Sequence, residues 1–311
     1  MAFTVKKDDN SVYFSGNSCF ARVDIREGCN LRELILDDWH TLLYPVDKEL
    51  PRGASGMPIM FPYANRLKNA EFDFEDKHYK ILKNGNPVLM HGFVGDECFD
   101  FVGGKCDNHS AQVTFSFEVS KKKEIYNSYP FDVILLLTYT LTKNSLKLDW
   151  TVENRGLTNA PFGFGVHTFF RKTYPDTTFI SIPSTSLIEA VDYFPTGKTL
   201  NVRNSDFDLS HERAVNDLEL DHLYHLDGKS RLSYITYSKE QVRIELDASE
   251  NMQYMMVFTP HRIHDAFCLE NQTNATDAMN LYSRGYKEMS GLLIAQPQKK
   301  ISGWLKITKT I

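Results

Sequence analysis

Apolar and polar residues alternate with a period of two along much of the chain, and this pattern predicts β-strands. It is clearest at residues 146–153, which follow the apolar stretch 133–141 across a short polar turn. The two stretches are therefore predicted to pair as a β-hairpin. A second hairpin is predicted to join residues 232–237 to residues 242–246.

Helical spacing of apolar residues is weak, since no such stripe persists for more than about ten residues. Strand-like segments recur instead at intervals of about 8–12 residues with turns between them, which is typical of a sandwich or barrel. No Pro/Gly/Ser-rich linker and no repeat of fixed period divides the chain. We therefore predict an all-β fold, a large antiparallel β-sandwich, with residues 1–311 forming a single domain.

Composition supports this fold and excludes some classes of function. Aromatic residues make up 13% of the chain, and their rings favour strands because they fit a pleated, half-buried surface. The chain carries 35 Lys and Arg against 40 Asp and Glu, a net charge of −5, so no nucleic-acid partner is predicted. The longest apolar run, residues 133–137, is far shorter than the roughly 20 residues that cross a bilayer. No membrane association is predicted.

The cysteines and the first residues indicate the compartment. Five cysteines are scattered without CxxC pairs or metal-finger spacing, which predicts reduced thiols. The first ten residues contain no apolar run of the kind found in secretory signals, so we expect a cytoplasmic protein.

Glu270 is the first candidate for chemistry, because it ends the apolar segment 266–269. Burying an ionised carboxylate without partners is costly. Glu270 is therefore either a general base held at a strand end inside a pocket, or a salt-bridged or exposed residue at a sheet edge. This segment alone leaves both interpretations open.

Two histidines are further candidates. His167 lies among glycines and aromatic residues in the segment 162–171, and an imidazole with an ordinary pKa near 6.5 suits a general acid. His91 follows the turn signal at residues 84–87, which predicts a place in a loop or at the mouth of a strand. A core histidine bonded to a backbone carbonyl is the alternative for each.

Arg66 follows a mixture of turn-forming residues and carries a planar fork of donors that suits a polar ligand, although a solvated surface arginine is the alternative.

Two histidine pairs invite a metal-site interpretation: His222 with His225, and His261 with His264. An odd offset on a strand places the two rings on opposite faces, so no metal site is predicted. The chain also lacks a Gly-rich phosphate loop, a G-x-S-x-G elbow and an H-E-x-x-H motif.

Taken together, five segments resemble, in order, motifs of the aldose 1-epimerase (galactose mutarotase) family. The matching stretches are residues 56–66, 90–93, 166–170, 220–224, and 268–273 with the following 277–280. The resemblance implies the galactose mutarotase-like supersandwich, a large antiparallel β-sandwich that agrees with the pattern of the strands. It also implies an isomerase that interconverts the α and β anomers of an aldohexose.

The resemblance implies a role for each site residue. Glu270 would remove the proton from the anomeric hydroxyl, while His167 protonates the ring oxygen. His91 would bind next to these two oxygens or share the acid role. Asn65, Arg66 and Asp221 would also bind the substrate. Of these, Arg66 and Asp221 would orient its hydroxyls. The family's mechanism needs no metal or cofactor, and the expected partner is a monosaccharide.

Elementary acid–base chemistry adds two expectations. With ordinary pKa values near 4.3 and 6.5, a carboxylate and an imidazolium coexist between about pH 4 and 6.5, and mutual attraction in a pocket is expected to widen that window. The apolar face of a sugar is expected to stack on aromatic rings such as Phe93, Phe164 or Phe169.

Three other functions are compatible with parts of the sequence. A hexose-6-phosphate mutarotase would need a cationic cluster for the phosphate, for which Lys68, Arg171 and Lys172 are candidates. A non-catalytic sugar-binding sandwich would not need both Glu270 and His167. A glycosidase or lyase would normally need two carboxylates at the scissile bond, and the sequence indicates only Glu270 for such a role. The sequence predicts neither the particular sugar nor the oligomeric state.

Overall fold

A computed structural model describes residues 2–39, 42–46, 53–226, 228, 230–260, 263 and 265–310. The first strands are β1 (Thr4–Lys7), β2 (Ser11–Gly16), β3 (Cys19–Asp24), β4 (Asn30–Ile35), β5 (Ile59–Met60), β6 (Glu71–Phe74), β7 (Lys77–Lys80), β8 (Leu82–Lys83) and β9 (Asn86–Pro87). The middle of the chain forms β10 (Asp100–Cys106), β11 (Ala111–Glu118), β12 (Val133–Leu141), β13 (Ser145–Asn154), β14 (Ala160–Phe162), β15 (Gly165–Val166), β16 (Thr168–Arg171), β17 (Thr178–Ser181), β18 (Ser186–Val191) and β19 (Phe194–Asn201). The last strands are β20 (Arg213–Ala214), β21 (Asp221–His225), β22 (Ser233–Tyr237), β23 (Val242–Ala248), β24 (Tyr254–Phe258), β25 (Ala266–Gln272), β26 (Leu293–Ala295) and β27 (Lys300–Lys309).

Helices are short in the described part of the chain. The α-helices are α1 (Lys123–Ser128), α2 (Ala278–Ser283) and α3 (Lys287–Ser290), and single 3₁₀ turns lie at Lys68–Ala70, Val119–Lys121, Pro175–Thr177 and Val215–Asp217. None of the helices among these residues is long and apolar enough to span a bilayer.

Both predicted hairpins are present. Leu141 of β12 pairs with Leu146 of β13, and the ladder runs in register back to Val133 and Asn154. In the second hairpin, Tyr237 of β22 pairs with Val242 of β23, and the ladder continues to Ser233 and Leu246. In each hairpin a short polar turn follows a run of alternating apolar residues, so local sequence decides the pairing.

Two large antiparallel sheets form the framework. One has the order β10-β11-β12-β13-β27-β23-β22-β17-β20, and the other has the order β19-β18-β21-β24-β25-β15-β5, with β16 also pairing with β25. A smaller sheet, β1-β2-β3-β4, lies beside them. The all-β antiparallel sandwich predicted from the sequence is confirmed.

The two large sheets share one apolar core. Trp150 of β13 is fully buried and stacks on Phe164 at 4.8 Å between ring centroids. Strands of the second sheet contribute Val257, Phe267 and Leu269 to the same cluster. The alternating burial of β13 shows one face in this core and the other near solvent, as expected of an antiparallel sandwich.

Strand β25 departs from this alternation, because all seven of its residues are buried. Phe267 and Leu269 face the main core, whereas Ala266 and Cys268 belong to a separate apolar cluster on the opposite side of the sheet. Since side chains alternate along a strand, Glu270 shares the face of Cys268 and points away from the main core. The burial of that face therefore comes from loops and short strands lying over the sheet.

Candidate active site

Glu270 occupies the centre of the covered face of the second sheet. Its backbone pairs with Met256 of β24, and the residue is only 2% exposed. One carboxylate oxygen, Oε2, has no hydrogen-bond partner among the described residues. The interpretation as an exposed edge residue is therefore excluded, since Glu270 is buried on a central strand.

His167 lies directly across from Glu270. It stands between β15 and β16, and the register of Thr168 with Leu269 places it next to the Glu270 position. Its Nε2 atom is 3.2 Å from Oε1 of Glu270, and its Nδ1 atom has no described partner. Phe169 stacks flat on the imidazole at 4.4 Å between centroids, which fixes the plane of the ring. The result is a buried carboxyl–imidazole pair with one unpartnered polar atom on each member.

Burial dominates the acid–base properties of this pair. Desolvation raises the pKa of Glu270 well above its ordinary value; nearby Asp221 adds to this, and Arg66 opposes it. Desolvation lowers the pKa of His167 well below its ordinary value, and His91 adds to this effect. Mutual attraction was expected to widen the pH range in which both groups are charged. That expectation left out desolvation, which has the largest effect on the pKa of each group and narrows this range.

His91 is the neighbour of His167, with its ring edge-on at 5.2 Å between centroids. Its backbone is left-handed, with φ 61°, and the following Gly92 also has φ 69°. A side chain at Gly92 would meet the carbonyl oxygen of Phe61 at 2.0 Å, so the loop needs glycine there to lie against residues 61–62. The His-Gly pair therefore places the imidazole over the site.

Backbone contacts hold the ring of His91. The amide of Asn65 donates to its Nδ1 atom at 3.3 Å, and the amide of His91 donates to the carbonyl of Asn65 at 2.8 Å. With Nδ1 accepting, the proton of a neutral ring is assigned to Nε2. Burial, together with the nearby charge of Arg66, lowers the pKa of His91 to about 4. His91 is therefore a neutral donor at neutral pH.

Arg66 and Asp221 form the other side of the site. Arg66 Nη2 is 3.8 Å from Asp221 Oδ2, and Arg66 Nη1 donates to Asn65 Oδ1 at 3.1 Å. The guanidinium also lies over the ring of Tyr193, 4.2 Å from its centroid. These contacts hold a cation and a carboxylate side by side with part of each still exposed, which is the chemistry that binds sugar hydroxyls.

Two pockets lie next to residues that contact Glu270. The Arg66 pocket, of about 390 Å³, is lined by Arg66, Glu189, Tyr193, Asp221, His222 and Met256, among others. The His91 pocket, of about 550 Å³, is lined by Glu27, Arg32, His91, Asp96, His167 and Phe169, among others. Glu270 lies between them, because it contacts His167 of one pocket and pairs with Met256 of the other. Of the six predicted site residues, Arg66 and Asp221 line the first pocket, His91 and His167 line the second, and Glu270 and Asn65 contact these residues.

Some predicted residues take no part in these contacts. Phe93 and Phe164 are buried in the main core, so they are not available to stack on a sugar; Phe169 covers His167 instead. His222 and His225 lie on β21 at the odd offset that was expected to separate their rings. The second histidine pair, His261 and His264, lies outside the described residues.

One group of side chains has the donor atoms of a metal site. The ligand atoms of His167, Cys268 and Glu270 all lie within 4.8 Å of one another. The Cys268 thiol is fully buried, and burial raises its pKa well above its ordinary value. A soft ion such as Zn²⁺ would have to displace that proton and break the contact between Glu270 and His167.

Three site features were missed in the sequence. Tyr193 lies at a turn between β18 and β19 with φ 70°, and no motif distinguishes it from other tyrosines. Arg32 and Glu27 belong to the small sheet and its preceding turn, far along the chain from the other site residues. Glu27 and Arg32 are 5 residues apart in this early segment, and only the fold brings them to the pocket that His91 lines.

Comparisons with known proteins identify the family and the fold. Residues 23–304 match the family model described as aldose 1-epimerase. A galactose mutarotase-like protein from Clostridium acetobutylicum has a similar structure, with a TM-score of 0.85, 20% identity, and coverage of 99% of this chain and 98% of that one. A galactose 1-epimerase from Lactobacillus acidophilus NCFM gives a TM-score of 0.76 at 16% identity, over 99% of this chain and 98% of that one.

One curated relative matches over a shorter stretch. The bifunctional protein gal10 of Schizosaccharomyces pombe is 30% identical over 92 residues, which is 28% of this chain. The matched stretch spans only 12% of that protein's length.

Proposed function

Because the chain belongs to the aldose 1-epimerase family, we propose that it interconverts the α and β anomers of an aldohexose. The observation that carries this proposal is the buried contact of 3.2 Å between His167 Nε2 and Glu270 Oε1. A matched acid and base within hydrogen-bond distance of each other suits two proton transfers to one bound molecule. Pure sugar binding needs hydroxyl partners but gains nothing from burying such a pair.

In the proposed reaction, Glu270 removes the proton of the anomeric hydroxyl while the C1–O5 bond breaks. The electron pair of the O–H bond forms the aldehyde, and the pair of the C1–O5 bond passes to the ring oxygen, which takes a proton from His167. Rotation about C1–C2 presents the other face of the aldehyde. Ring closure reverses both transfers, so the two side chains return to their starting forms.

The electrostatics of the site bear on this reaction. Glu270 must be ionised and His167 protonated, so the pair needs one proton in all. Burial opposes both charges, whereas their contact favours them, and Arg66 lowers the pKa of Glu270. The neutral His91 donates a hydrogen bond from Nε2 to the ring oxygen or anomeric oxygen without adding a second positive charge. Each acid or base group is expected to contribute about 10²–10⁴-fold to the rate.

Arg66, Asp221 and Asn65 are proposed to bind the hydroxyls. Arg66 donates and Asp221 accepts, and Asn65 holds the guanidinium in place through its side-chain oxygen. Arg66 and Asp221 line the Arg66 pocket together with Met256, which pairs with Glu270. No step of this reaction uses a metal or cofactor, and the proposed partner is a monosaccharide in the cytoplasm.

A 6-phosphate substrate is less well supported. Lys68, Arg171 and Lys172, the cations considered for a phosphate, are not among the described residues that line either pocket. Lys68 instead lies over the ring of Phe194 at 5.6 Å from its centroid. Arg66 already faces Asp221, and the carboxylate of Asp221 would repel a phosphate dianion bound there.

The test is polarimetry on freshly dissolved α-D-glucose, α-D-galactose and α-D-glucose 6-phosphate. We expect wild-type protein to accelerate equilibration of a free hexose, and Glu270→Gln to abolish the acceleration. Glu245→Gln, at a partly exposed position on β23 in the other large sheet, is the matched control and is expected to keep full activity. Activity that survives in Glu270→Gln would point to a contaminating enzyme or to another base, and would contradict the proposal.

A further inference from the structure

A row of apolar side chains extends across the second sheet from Glu270. Glu270 of β25 pairs with Met256 of β24, and Met256 pairs with Leu223 of β21. Directly paired residues on neighbouring antiparallel strands share one face of the sheet. Ile188 of β18 belongs to the same apolar cluster as Leu223 and Met256. These three apolar side chains all line the Arg66 pocket, so they form its floor on the face of the sheet that carries Glu270.

The order of the strands decides which carbon of a bound sugar lies over this floor. His167 stands at the edge of β25 that pairs with β16, whereas Met256 lies on β24 at the opposite edge. In the proposed reaction the ring oxygen O5 lies at His167 and the anomeric carbon C1 lies at Glu270. The other ring neighbour of C1 in a pyranose is C2, which therefore lies on the side of Met256. The substituent at C2 faces the Arg66 pocket.

A donor and an acceptor lie beside the apolar floor. Arg66 Nη2 and Asp221 Oδ2 are 3.8 Å apart, which is longer than a hydrogen bond, so both groups retain the capacity to bind a ligand. Both side chains are partly exposed and line the same pocket as Met256 and Leu223. The C2 substituent therefore meets a cation, a carboxylate and an apolar surface together.

An acetamido group matches all three features. Its carbonyl oxygen accepts from Arg66, its N–H donates to Asp221, and its methyl group covers the apolar floor. A hydroxyl at C2 engages the two polar side chains but leaves the floor without an apolar partner. From this we infer that the Arg66 pocket selects 2-acetamido sugars, so that N-acetylhexosamines are the favoured substrates of the proposed epimerase. The inference rests on the proposed function, because it uses the placement of O5 and C1.

The charges of the pocket favour a neutral substituent. Glu189, whose carboxylate accepts a hydrogen bond from Thr196, lines the pocket together with Asp221 and Arg66, so two carboxylates face one guanidinium. Burial lowers the pKa of His222, another lining residue, so its ring adds no positive charge at neutral pH. An anionic group at C2, such as a sulfate, would be repelled, whereas a neutral acetamido group would not.

Ala190 offers a way to fill the pocket without displacing a buried side chain. It is exposed near the end of β18 and lines the Arg66 pocket, so Ala190→Trp places a large ring there. Val191 is the next residue on the same strand, is 63% exposed and is not among the residues that line this pocket. Val191→Trp is therefore the matched control.

The experiment measures anomeric exchange by NMR at equilibrium for two pairs of sugars: glucose with N-acetylglucosamine, and galactose with N-acetylgalactosamine. The kcat/KM for each sugar is divided by its uncatalysed rate constant, so that intrinsic reactivity cancels. For wild type we expect the acetamido sugar of the better pair to exceed its parent hexose by about threefold or more, as burial of one methyl group predicts. Ala190→Trp should lower this ratio by about tenfold, and Val191→Trp should leave it unchanged.

A third sugar separates the amide from the apolar floor. 2-Deoxyglucose carries only hydrogen at C2, so it offers no partner to Arg66 or Asp221. We expect it to be a poorer substrate than N-acetylglucosamine on the same corrected scale. A 2-deoxyglucose value equal to or above that of N-acetylglucosamine would show that the polar pair does not read an amide, and would overturn the inference.

The remaining outcomes separate this inference from the proposed function. Acceleration of the parent hexoses without a preference for the acetamido sugars would overturn the inference and leave the epimerase activity standing. A preference that persists unchanged in Ala190→Trp would also overturn it, because the acetamido group would then not occupy this pocket. Exchange that is not accelerated for any of the five sugars would overturn both proposals together.

Discussion

Acid should destabilise the folded protein through His91 in a predictable pH range. Burial and the charge of Arg66 lower the pKa of His91 to about 4 in the folded chain, against about 6.5 when unfolded. Between these values the unfolded chain binds the extra proton, so the free energy of unfolding falls as the pH falls. Above about pH 6.5 the ring is neutral in both states, and this group no longer changes stability with pH.

The magnitude follows from the two pKa values. At about 1.36 kcal/mol per pKa unit, lowering the pH from 7.5 to 4.5 costs about 2.5 kcal/mol through His91 alone. Part of His91 remains exposed to solvent, which moderates the loss to about 2 kcal/mol. The assay is urea unfolding at both pH values, with the free energies extrapolated to water. His91→Gln should reduce the difference between the two pH values by about this amount.

An exposed histidine provides the control. His109 lies on the surface turn between β10 and β11, and His109→Gln removes an imidazole without removing a buried one. We expect that variant to keep the wild-type dependence on pH. The reasoning would be refuted if His91→Gln and wild type lost the same free energy between pH 7.5 and 4.5, since desolvation at His91 would then not govern the titration.

Three further predictions concern neighbouring groups. Glu270→Gln should raise the melting temperature measured by calorimetry at pH 7.5, because burial raises the pKa of Glu270 and the carboxylate is costly to bury; an unchanged or lower value would contradict this. Arg66 lowers the pKa of Glu270, so Arg66→Met should move the acid limb of the pH profile of kcat/KM to higher pH. Asp221 raises that pKa, so Asp221→Asn should move the acid limb to lower pH. Shifts of both variants in the same direction would refute the assignment. A disulfide reagent should react rapidly with the exposed Cys98 and Cys106 in the native protein and with the three buried cysteines only after unfolding, as followed by absorbance; rapid reaction of a third thiol would show that one of those three is accessible.

Local pattern was enough to predict the framework. Strands β12 and β13 alternate cleanly and join through a short polar turn, so neighbouring residues decide their pairing. Strand β25 was harder, because burial on both faces erases the alternation. The carboxylate of Glu270 could nevertheless be recognised as a candidate, because it is costly to bury a charged glutamate at the end of an apolar run without a partner.

Properties that depend on distant parts of the chain could not be predicted. The acid–base behaviour of Glu270 and His167 depends on how completely loops cover the sheet, and composition does not reveal that cover. Arg32 and Tyr193 reach the site only through long-range packing, and neither belongs to a recognisable motif. The assignment of residues 1–311 to a single domain stays a prediction.

A double-mutant cycle on Glu270 and His167 tests the central claim most directly. Polarimetry on fresh α-D-glucose would compare wild type, Glu270→Gln, His167→Asn and the double variant. If the two side chains act as one proton-transferring unit across their 3.2 Å contact, each single change should lower kcat by about 10²-fold or more, and the double variant should be about as slow as the slower single variant. Losses that simply multiply, or a single variant that keeps wild-type kcat, would contradict the account.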